Sequence, residues 1–83
     1  MFVNIKYSRS AFKHDITEAD VHRAFINAVF DDIIDEASDK HLLIRFDGKG
    51  RILEILYNFI DDETIRVFHA MRCRNEWRKL CRI

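Results

Sequence analysis

The residues with the clearest capacity for chemistry lie in the last seventeen positions, VFHAMRCRNEWRKLCRI. His69 can move a proton near neutral pH, and Arg72 and Arg74 follow it closely enough to hold a phosphodiester and stabilise charge growing on it. Arg78 and Arg82 continue the positive charge along the segment, as a track that grips the phosphates of a polyanion would. These residue types and spacings would suit the binding of a polyanion, and with His69 they would suit proton transfer at a phosphodiester.

Each of these residues also has a purely structural interpretation. His69 has the same strand parity as Ile65 and Val67, which would place it in the core if that face is buried. The arginines could form the solvated face of a helix, with Trp77 as its core anchor rather than as a base-stacking surface. Both interpretations stay open, although an uncompensated run of positive charge is self-repelling unless a polyanion or an acidic surface faces it.

Three further residues could contribute to the same chemistry. Glu54 lies on a strand face of mixed character and could act as a general base, although a surface position or a pairing with Arg45 is the simpler role. Lys13 and His14 precede a helix and could extend a basic RNA-binding surface. They could equally be ordinary charges near the N-terminus.

The zero net charge conceals an uneven distribution along the chain. Residues 1–14 carry three basic side chains and no acid, residues 15–65 carry thirteen acids against five bases, and residues 66–83 carry six bases against one acid. This split predicts one basic and one acidic surface, unless the segments neutralise each other within the fold. The basic ends would face nucleic acid, and the acidic middle would face a basic partner.

The composition argues against several other classes of function. The chain has only two glycines, and it contains neither a glycine-rich phosphate loop nor a nucleophile elbow. Its Cys and His residues do not have zinc-ligand spacing. We therefore expect neither a metal nor a small-molecule cofactor. No apolar run is long enough to cross a bilayer, and the first ten residues lack the features of a signal peptide. We therefore expect a cytoplasmic protein that makes no membrane contact.

Hydrophobic spacing predicts a single domain over residues 1–83. It begins with a strand or arm, FVNIKY, and a short helical turn, followed by ITEADVHRAFINAVF, where Thr17 is the expected N-cap and Asp20 stands at the capping-box position. A short edge strand is expected around Ile33 and Ile34. KHLLIRFD and RILEILYNFI should pair as a hairpin through DGKG, TIRVFHA should form another strand, and RCRNEWRKLCR should form a terminal helix.

The expected fold is an α+β domain with a small antiparallel sheet of three to four strands, an N-terminal helix and a C-terminal helix. Short turns make consecutive strands neighbours, and both helices should cover one face of the sheet. The inward-facing residues of the terminal helix would be Cys73, Trp77, Leu80 and Cys81.

The order of these segments resembles the BrnT-like toxins of bacterial type II toxin–antitoxin systems, within the RelE-like ribonuclease superfamily. The resemblance rests on KH before ITEAD and AF, on LLIRFDGKGRILEILYN, and on VFHAMRCR before WRKL, so it spans nearly the whole chain. Two positions depart from the family pattern. Asp15 replaces the glycine of a Lys-His-Gly sequence, and Met71 stands where an arginine is expected, with Arg72 one place later.

The resemblance implies a metal-independent endoribonuclease that cleaves RNA, often mRNA, either on the ribosome or away from it, and that inhibits growth until an antitoxin neutralises it. Such cleavage proceeds by attack of the RNA's own 2′-hydroxyl on the adjacent phosphate. His69 or Glu54 would then transfer the proton, and Arg72 and Arg74 would stabilise the phosphate. The residues that bind RNA would be Lys13, His14, Arg78 and Arg82.

An antitoxin would also cover the apolar surface that Ile52, Leu56 and Phe68 are expected to expose. The alternative function is a non-catalytic module that binds RNA or a protein through the basic C-terminal helix. A third interpretation is a purely structural protein, in which the terminal arginines pair internally with acids such as Asp31 or Glu36.

Overall fold

A computed structural model of the chain describes residues 4–12, 15–26, 28–46 and 51–81. The strands are β1 (Asn4–Tyr7), β2 (Phe30–Asp35), β3 (Lys40–Phe46), β4 (Ile52–Asp61) and β5 (Thr64–Arg72). The helical segments are a 3₁₀ turn (Arg9–Phe12), α1 (Glu18–Ile26), α2 (Asn75–Arg78) and a second 3₁₀ turn (Lys79–Cys81). The strands form one sheet with the order β1-β5-β4-β3-β2.

The expected α+β fold, with a small antiparallel sheet between two terminal helices, is wrong. The sheet has five strands and is mixed, because β1 joins it in parallel with β5, with Asn4 opposite Thr64 and Tyr7 opposite Val67. Helical structure is correspondingly limited in the described part of the chain, since α1 has nine residues and α2 has four. The molecule is therefore mostly sheet.

The terminal helix over RCRNEWRKLCR is wrong because β4 offers this segment a strand partner. β5 continues to Arg72, and the backbone N–H of Cys73 still donates to Ile52 O at 2.7 Å. Helical geometry begins only after Arg74, and α2 lasts about one turn. Tertiary pairing has overridden the helical spacing of the apolar residues here.

The inward face expected for that helix is also wrong in part. Leu80 is 45% exposed, whereas Cys73 and Trp77 are half-buried. The side chain of Cys81 lies outside the described residues. α2 contains no buried residue, so it has no continuous apolar face to pack on the sheet.

The first helix begins where its N-cap predicts. Thr17 Oγ1 accepts the backbone N–H of Asp20 at 3.1 Å, and Asp20 Oδ2 accepts the backbone N–H of Thr17 at 3.0 Å, which confirms the capping box. α1 ends at Ile26 instead of continuing to Phe30, because Phe30 opens β2 and pairs with Ile44. The sequence therefore predicts the position of the first helix correctly but makes the helix too long.

The remaining strand predictions are confirmed. β1 and the 3₁₀ turn that follows it lie within their expected segments, and β2 contains the predicted edge strand around Ile33. β3 pairs antiparallel with β4, and β4 pairs antiparallel with β5. The DGKG residues of the predicted hairpin turn lie outside the described part of the chain.

The sheet buries apolar side chains on both of its faces. The core face of the sheet forms one buried cluster with α1, the residues before it and the first 3₁₀ turn: Ala11, Ile16, Val21, Ala24, Leu43, Leu53, Ile55, Tyr57, Ile65, Val67 and Ala70. The opposite face, called the second face below, includes Leu42, Ile44 and Glu54, all of which are fully buried. Cross-strand partners share a face, and Ile44 lies opposite Glu54.

The second face differs from its prediction in two ways. Ile52, Leu56 and Phe68 are half-buried there and not broadly exposed. Glu54, also on this face, is fully buried and contacts Arg74 in the segment that leads into α2. In the described part of the chain, no helix combines the length and the apolar character that crossing a membrane requires.

Candidate functional site

A β-bulge between β4 and β5 decides where His69 points. Leu56 pairs with His69, but the next residue, Tyr57, pairs with Val67, which leaves Phe68 as an extra residue in β5. Such a bulge interrupts the alternation of side chains along a strand. Val67 therefore lies on the core face with Tyr57, whereas His69 lies on the second face with Leu56.

The structural interpretation of His69, which assumed unbroken alternation with Ile65 and Val67, is wrong on this point. His69 faces a carboxylate, with its Nε2 3.0 Å from Glu54 Oε2, and its side chain is 21% exposed. Nothing in the sequence marks the bulge, because neither glycine nor proline occurs in β5. Only the pairing with β4 reveals it.

Glu54 is fully buried and uses both of its carboxylate oxygens. Oε1 accepts the backbone N–H of Arg74 at 2.8 Å and its Nε–H at 3.0 Å. Oε2 accepts an N–H from Arg74 Nη2 at 2.8 Å and one from His69 at 3.0 Å. We call this set the Glu54–His69–Arg74 cluster. The expectation of a surface position or a pairing with Arg45 is wrong, because Arg45 lies opposite Leu53 on the other face.

The electrostatics of the cluster assign a role to each partner. Burial opposes the ionisation of Glu54, but the hydrogen bonds from His69 and Arg74 outweigh it and lower the pKa of Glu54 to about 2. An ionised carboxylate can only accept, so His69 Nε2 must carry the proton of the hydrogen bond to Glu54. Glu54 therefore orients His69 and is too enclosed to serve as the general base itself.

Arg74 completes the cluster from the segment just before α2. Its Cζ lies 5.8 Å from the centre of the Trp77 ring, and its Nη1 lies 3.5 Å from a carboxylate oxygen of Glu76. The side chain is nevertheless 45% exposed, so one side of the guanidinium faces solvent. Arg74 can thus hold Glu54 and still present positive charge to a ligand.

A second feature is an open pocket of about 250 Å³ where the start of β4 meets the end of β5. Its lining consists of Arg51, Ile52, Arg72, Cys73 and Arg78. Three arginines line this pocket and suit an oxyanion such as a phosphate, and the Nε of Arg78 is buried with no hydrogen-bond partner among the described residues. Arg51 also lies 3.5 Å from Asp20, which offsets part of this charge. We call this feature the arginine pocket.

The structure divides the sequence-predicted residues between these two features. Glu54, His69 and Arg74 meet in the cluster, whereas Arg72 and Arg78 line the arginine pocket. Lys13, His14 and Arg82 lie outside the described residues. Within the described residues, no group of His, Cys, Asp and Glu side chains could hold a metal ion.

Arg51 is the functional candidate that sequence reasoning did not identify. It lies just before β4, and the carbonyl of its neighbour Ile52 accepts a hydrogen bond from the backbone N–H of Cys73, just after β5. The available signal was the antiparallel pairing of these strands, which brings the residue before β4 close to the residues that end β5. The predicted helix over residues 72–82 does not allow for this pairing, because it ends β5 before Arg72.

Comparison of the chain with protein-family models, with curated proteins and with solved structures gives no match. A site can be interpreted from its own geometry, independently of the fold that carries it. The functional conclusion therefore depends on the Glu54–His69–Arg74 cluster and on the arginine pocket.

Proposed function

We propose that the protein is a metal-independent endoribonuclease, a BrnT-like and RelE-like toxin that cleaves RNA in the cytoplasm and thereby inhibits translation and growth. The observation that supports this most is the buried, ionised Glu54, which orients a partly exposed histidine and an arginine. A carboxylate that fixes the tautomer of a histidine prepares it for proton transfer. Arg74, whose side chain is partly exposed, supplies positive charge of the kind that a phosphodiester reaction needs.

The proposed reaction uses the 2′-hydroxyl of the RNA as the nucleophile. His69 takes the hydroxyl proton while the oxygen attacks the adjacent phosphorus, and Glu54 stabilises the imidazolium that forms. The P–O2′ bond forms, the P–O5′ bond breaks, and the departing 5′-oxygen takes a proton from water. The products are a 2′,3′-cyclic phosphate and a 5′-hydroxyl. Arg74 stabilises the negative charge on this phosphate, whereas Arg72, which pairs with Leu53 of the core face, belongs to the arginine pocket.

A pulse of expression in a bacterial host tests the proposal, with RNA 5′ ends mapped for the wild type and for His69→Gln. Glutamine can still donate an N–H towards Glu54, but it cannot accept a proton at neutral pH. The wild type should arrest growth and create new 5′ ends, and His69→Gln should do neither. His22→Gln, which changes an exposed histidine of α1, is the matched control and should behave as the wild type.

Two outcomes would contradict the proposal. If His69→Gln, present at the same soluble level, creates the same 5′ ends as the wild type, His69 does not transfer the proton. If the soluble wild type creates no new ends, the protein does not cleave RNA in that host, and a binding function is favoured instead.

The arginine pocket favours a second candidate, a non-catalytic module that binds RNA. Phosphate binding by Arg51, Arg72 and Arg78 requires charge and hydrogen-bond donors but no proton transfer. This candidate predicts that the Arg72→Gln/Arg78→Gln double variant loses RNA binding, that His69→Gln keeps it, and that the wild type leaves RNA intact.

A cognate antitoxin is part of the first proposal. β2 is one of the two edge strands of the sheet and carries acidic side chains, so a basic partner segment could add to it by strand pairing. Co-expression of the antitoxin should restore growth, and Asp32→Lys/Glu36→Lys should weaken this rescue without reducing RNA cleavage. If the antitoxin rescues the double variant as well as it rescues the wild type, the antitoxin does not bind at this edge.

A further inference from the structure

An open cavity of about 420 Å³ lies beside the β-bulge and belongs neither to the Glu54–His69–Arg74 cluster nor to the arginine pocket. Its lining includes Lys40, Asn58, Arg66 and Phe68, together with serine side chains. The volume falls within the range of pockets that enclose small ligands. We call it the bulge cavity.

Two cations give the bulge cavity its charge. Lys40 comes from β3 and Arg66 comes from β5, the two strands that flank β4. Arg66 lies opposite Asn58 in the β4–β5 ladder, so their side chains share a face. An anionic group that enters the cavity would meet positive charge from both flanking strands.

Asn58 supplies a hydrogen-bonding group at the centre of this arrangement. Its Oδ1 is buried and has no hydrogen-bond partner among the described residues. A buried acceptor without a donor costs about 1–3 kcal/mol, so a ligand N–H that reached it would gain a favourable contact. The carboxamide therefore suits a ligand with N–H donors.

Phe68 adds an aromatic surface whose backbone is held in place. It is the extra residue of the bulge, it is half-buried, and its carbonyl accepts a hydrogen bond from the Ser10 hydroxyl at 2.7 Å. An aromatic ring next to cations is the combination that binds single-stranded nucleic acid, because bases stack on the ring while phosphates meet the cations.

The bulge cavity is close to His69. The Asn58–Arg66 pair lies two positions along β4 from the Leu56–His69 pair, which is about 7 Å. Phe68 also directly precedes His69 in the chain. One bound RNA strand could therefore occupy the cavity and reach the histidine.

We propose that the bulge cavity binds one nucleotide of single-stranded RNA, next to the phosphate at which His69 acts. The base stacks on Phe68 and donates an N–H to Asn58, and a phosphate lies against Lys40 and Arg66. The choice of RNA as the source of the nucleotide rests on the proposed function. A free nucleoside monophosphate has the same chemistry and is the other source to be distinguished.

Calorimetric titration of the full chain with two probes tests the proposal. One probe is adenosine 5′-monophosphate, and the other is a short oligoadenylate with 2′-O-methyl groups, which cannot be cleaved through its 2′-oxygen. The variants are Asn58→Leu and the double variant Lys40→Gln/Arg66→Gln. Arg23→Gln is the matched control, because it removes an exposed cation from α1, which packs on the opposite face.

We expect each cavity variant to weaken oligoadenylate binding about tenfold or more, and Arg23→Gln to change it less than about twofold. Binding of the monophosphate should be weaker than that of the oligoadenylate and should fall in the same variants. If the variants lose only the monophosphate, the cavity takes a free nucleotide and the assignment to RNA is wrong. If neither probe is affected, the cavity is not a nucleotide site.

Two further readouts separate this proposal from others. Asn58→Leu removes an unsatisfied buried carbonyl, so its urea midpoint should equal or exceed that of the wild type, whereas a structural asparagine would lower it. If the cavity variants cleave unmodified RNA as fast as the wild type does, the bulge cavity is not part of the RNA site, but the ribonuclease proposal stands. If the wild type binds the oligoadenylate through the cavity but does not cleave unmodified RNA, the nucleotide site stands and the ribonuclease proposal is wrong.

Discussion

Glu54 combines complete burial with full ionisation, two properties that seldom occur together in a carboxylate. Its charge is tolerated because Arg74 and His69 donate to both oxygens. The same contacts fix the Nε2–H tautomer of the histidine and the position of the guanidinium. Loss of the Glu54 charge should therefore affect both stability and proton transfer.

The first prediction concerns the pH dependence of stability. The pKa of Glu54 in the folded protein is about 2, below its ordinary value of 4.5. Ionised Glu54 therefore stabilises the fold fully at pH values above 4.5. This stabilisation is lost as the pH falls from 4.5 towards 2. The shift corresponds to about 3 kcal/mol. Urea denaturation measures the unfolding free energy from neutral to strongly acidic pH. Over this range the unfolding free energy of the wild type should fall by about 3 kcal/mol more than that of Glu54→Gln.

Glu36→Gln is the control for this prediction, because it removes an exposed carboxylate away from the cluster. It should keep the pH dependence of the wild type. A Glu54→Gln variant whose unfolding free energy falls with pH as steeply as that of the wild type would show that Glu54 is not held in its ionised form.

At this scale the sequence identified the residues but not their contact. His69, Glu54 and Arg74 were each recognisable from the chemistry of their side chains. Their meeting depends on a strand pairing and on one extra residue, Phe68, which reverses the side on which His69 lies. Neither feature leaves a local signal, so the sequence predicts a surface position or a pairing with Arg45 for Glu54 and not its burial against His69 and Arg74.

At the scale of elements, local signals predicted what local contacts determine. The N-terminus of α1 was predictable because Thr17 and Asp20 bond to each other three residues apart. The end of α1 and the extension of β5 to Arg72 were not predictable, because both depend on pairing with strands that are distant in sequence. The parallel pairing of β1 with β5 also has no local signature.

The second prediction concerns the cap of α1. Thr17→Ala removes the side-chain acceptor for the N–H of Asp20 and should cost about 1 kcal/mol of unfolding free energy. Thr17→Ser keeps the hydroxyl and should remain within a few tenths of a kcal/mol of the wild type. Urea denaturation measures both variants, and equal loss in the two would mean that the hydroxyl does not act as the cap.

The third prediction concerns the attachment of the edge strand β2. Burial and the 2.6 Å hydrogen bond to Asp31 raise the pKa of Tyr57, so its phenol stays protonated and ties β4 to β2 across β3. Tyr57→Phe should cost about 1–2 kcal/mol and speed amide hydrogen exchange in β2 more than in β4. Uniform acceleration in both strands would indicate a general loss of packing instead of a loosened edge.

At the scale of the whole molecule, the topology sets where the charged segments lie. Lys6 of β1 lies opposite Arg66 of β5, and the acidic strand β2 lies at the other edge of the sheet. The basic segment that follows β5 does not stand apart from the acids, because Arg74 pairs with the buried Glu54. The charge pattern of the sequence does not predict this internal pairing, which depends on the contact between β4 and the end of β5.

The fourth prediction concerns the salt dependence of RNA binding. Each phosphate contact with single-stranded RNA contributes about −0.7 to the slope of the logarithm of the binding constant against the logarithm of salt concentration. Arg72→Gln/Arg78→Gln should therefore reduce the magnitude of this slope by about 1.4, and Arg23→Gln should leave it unchanged. An unaltered slope in the double variant would remove the arginine pocket from the RNA-binding surface.

The measurement that tests proton transfer by the oriented histidine most directly is the cleavage rate of a purified full chain on an RNA oligonucleotide, with a 2′-O-methyl copy as the control substrate. We expect the wild type to cleave only the unmodified RNA, without added metal, and to leave a 2′,3′-cyclic phosphate. His69→Gln should lower the rate at least about 100-fold, and Glu54→Gln should lower it less. Cleavage of the methylated RNA, or an undiminished rate in folded His69→Gln, would contradict the mechanism.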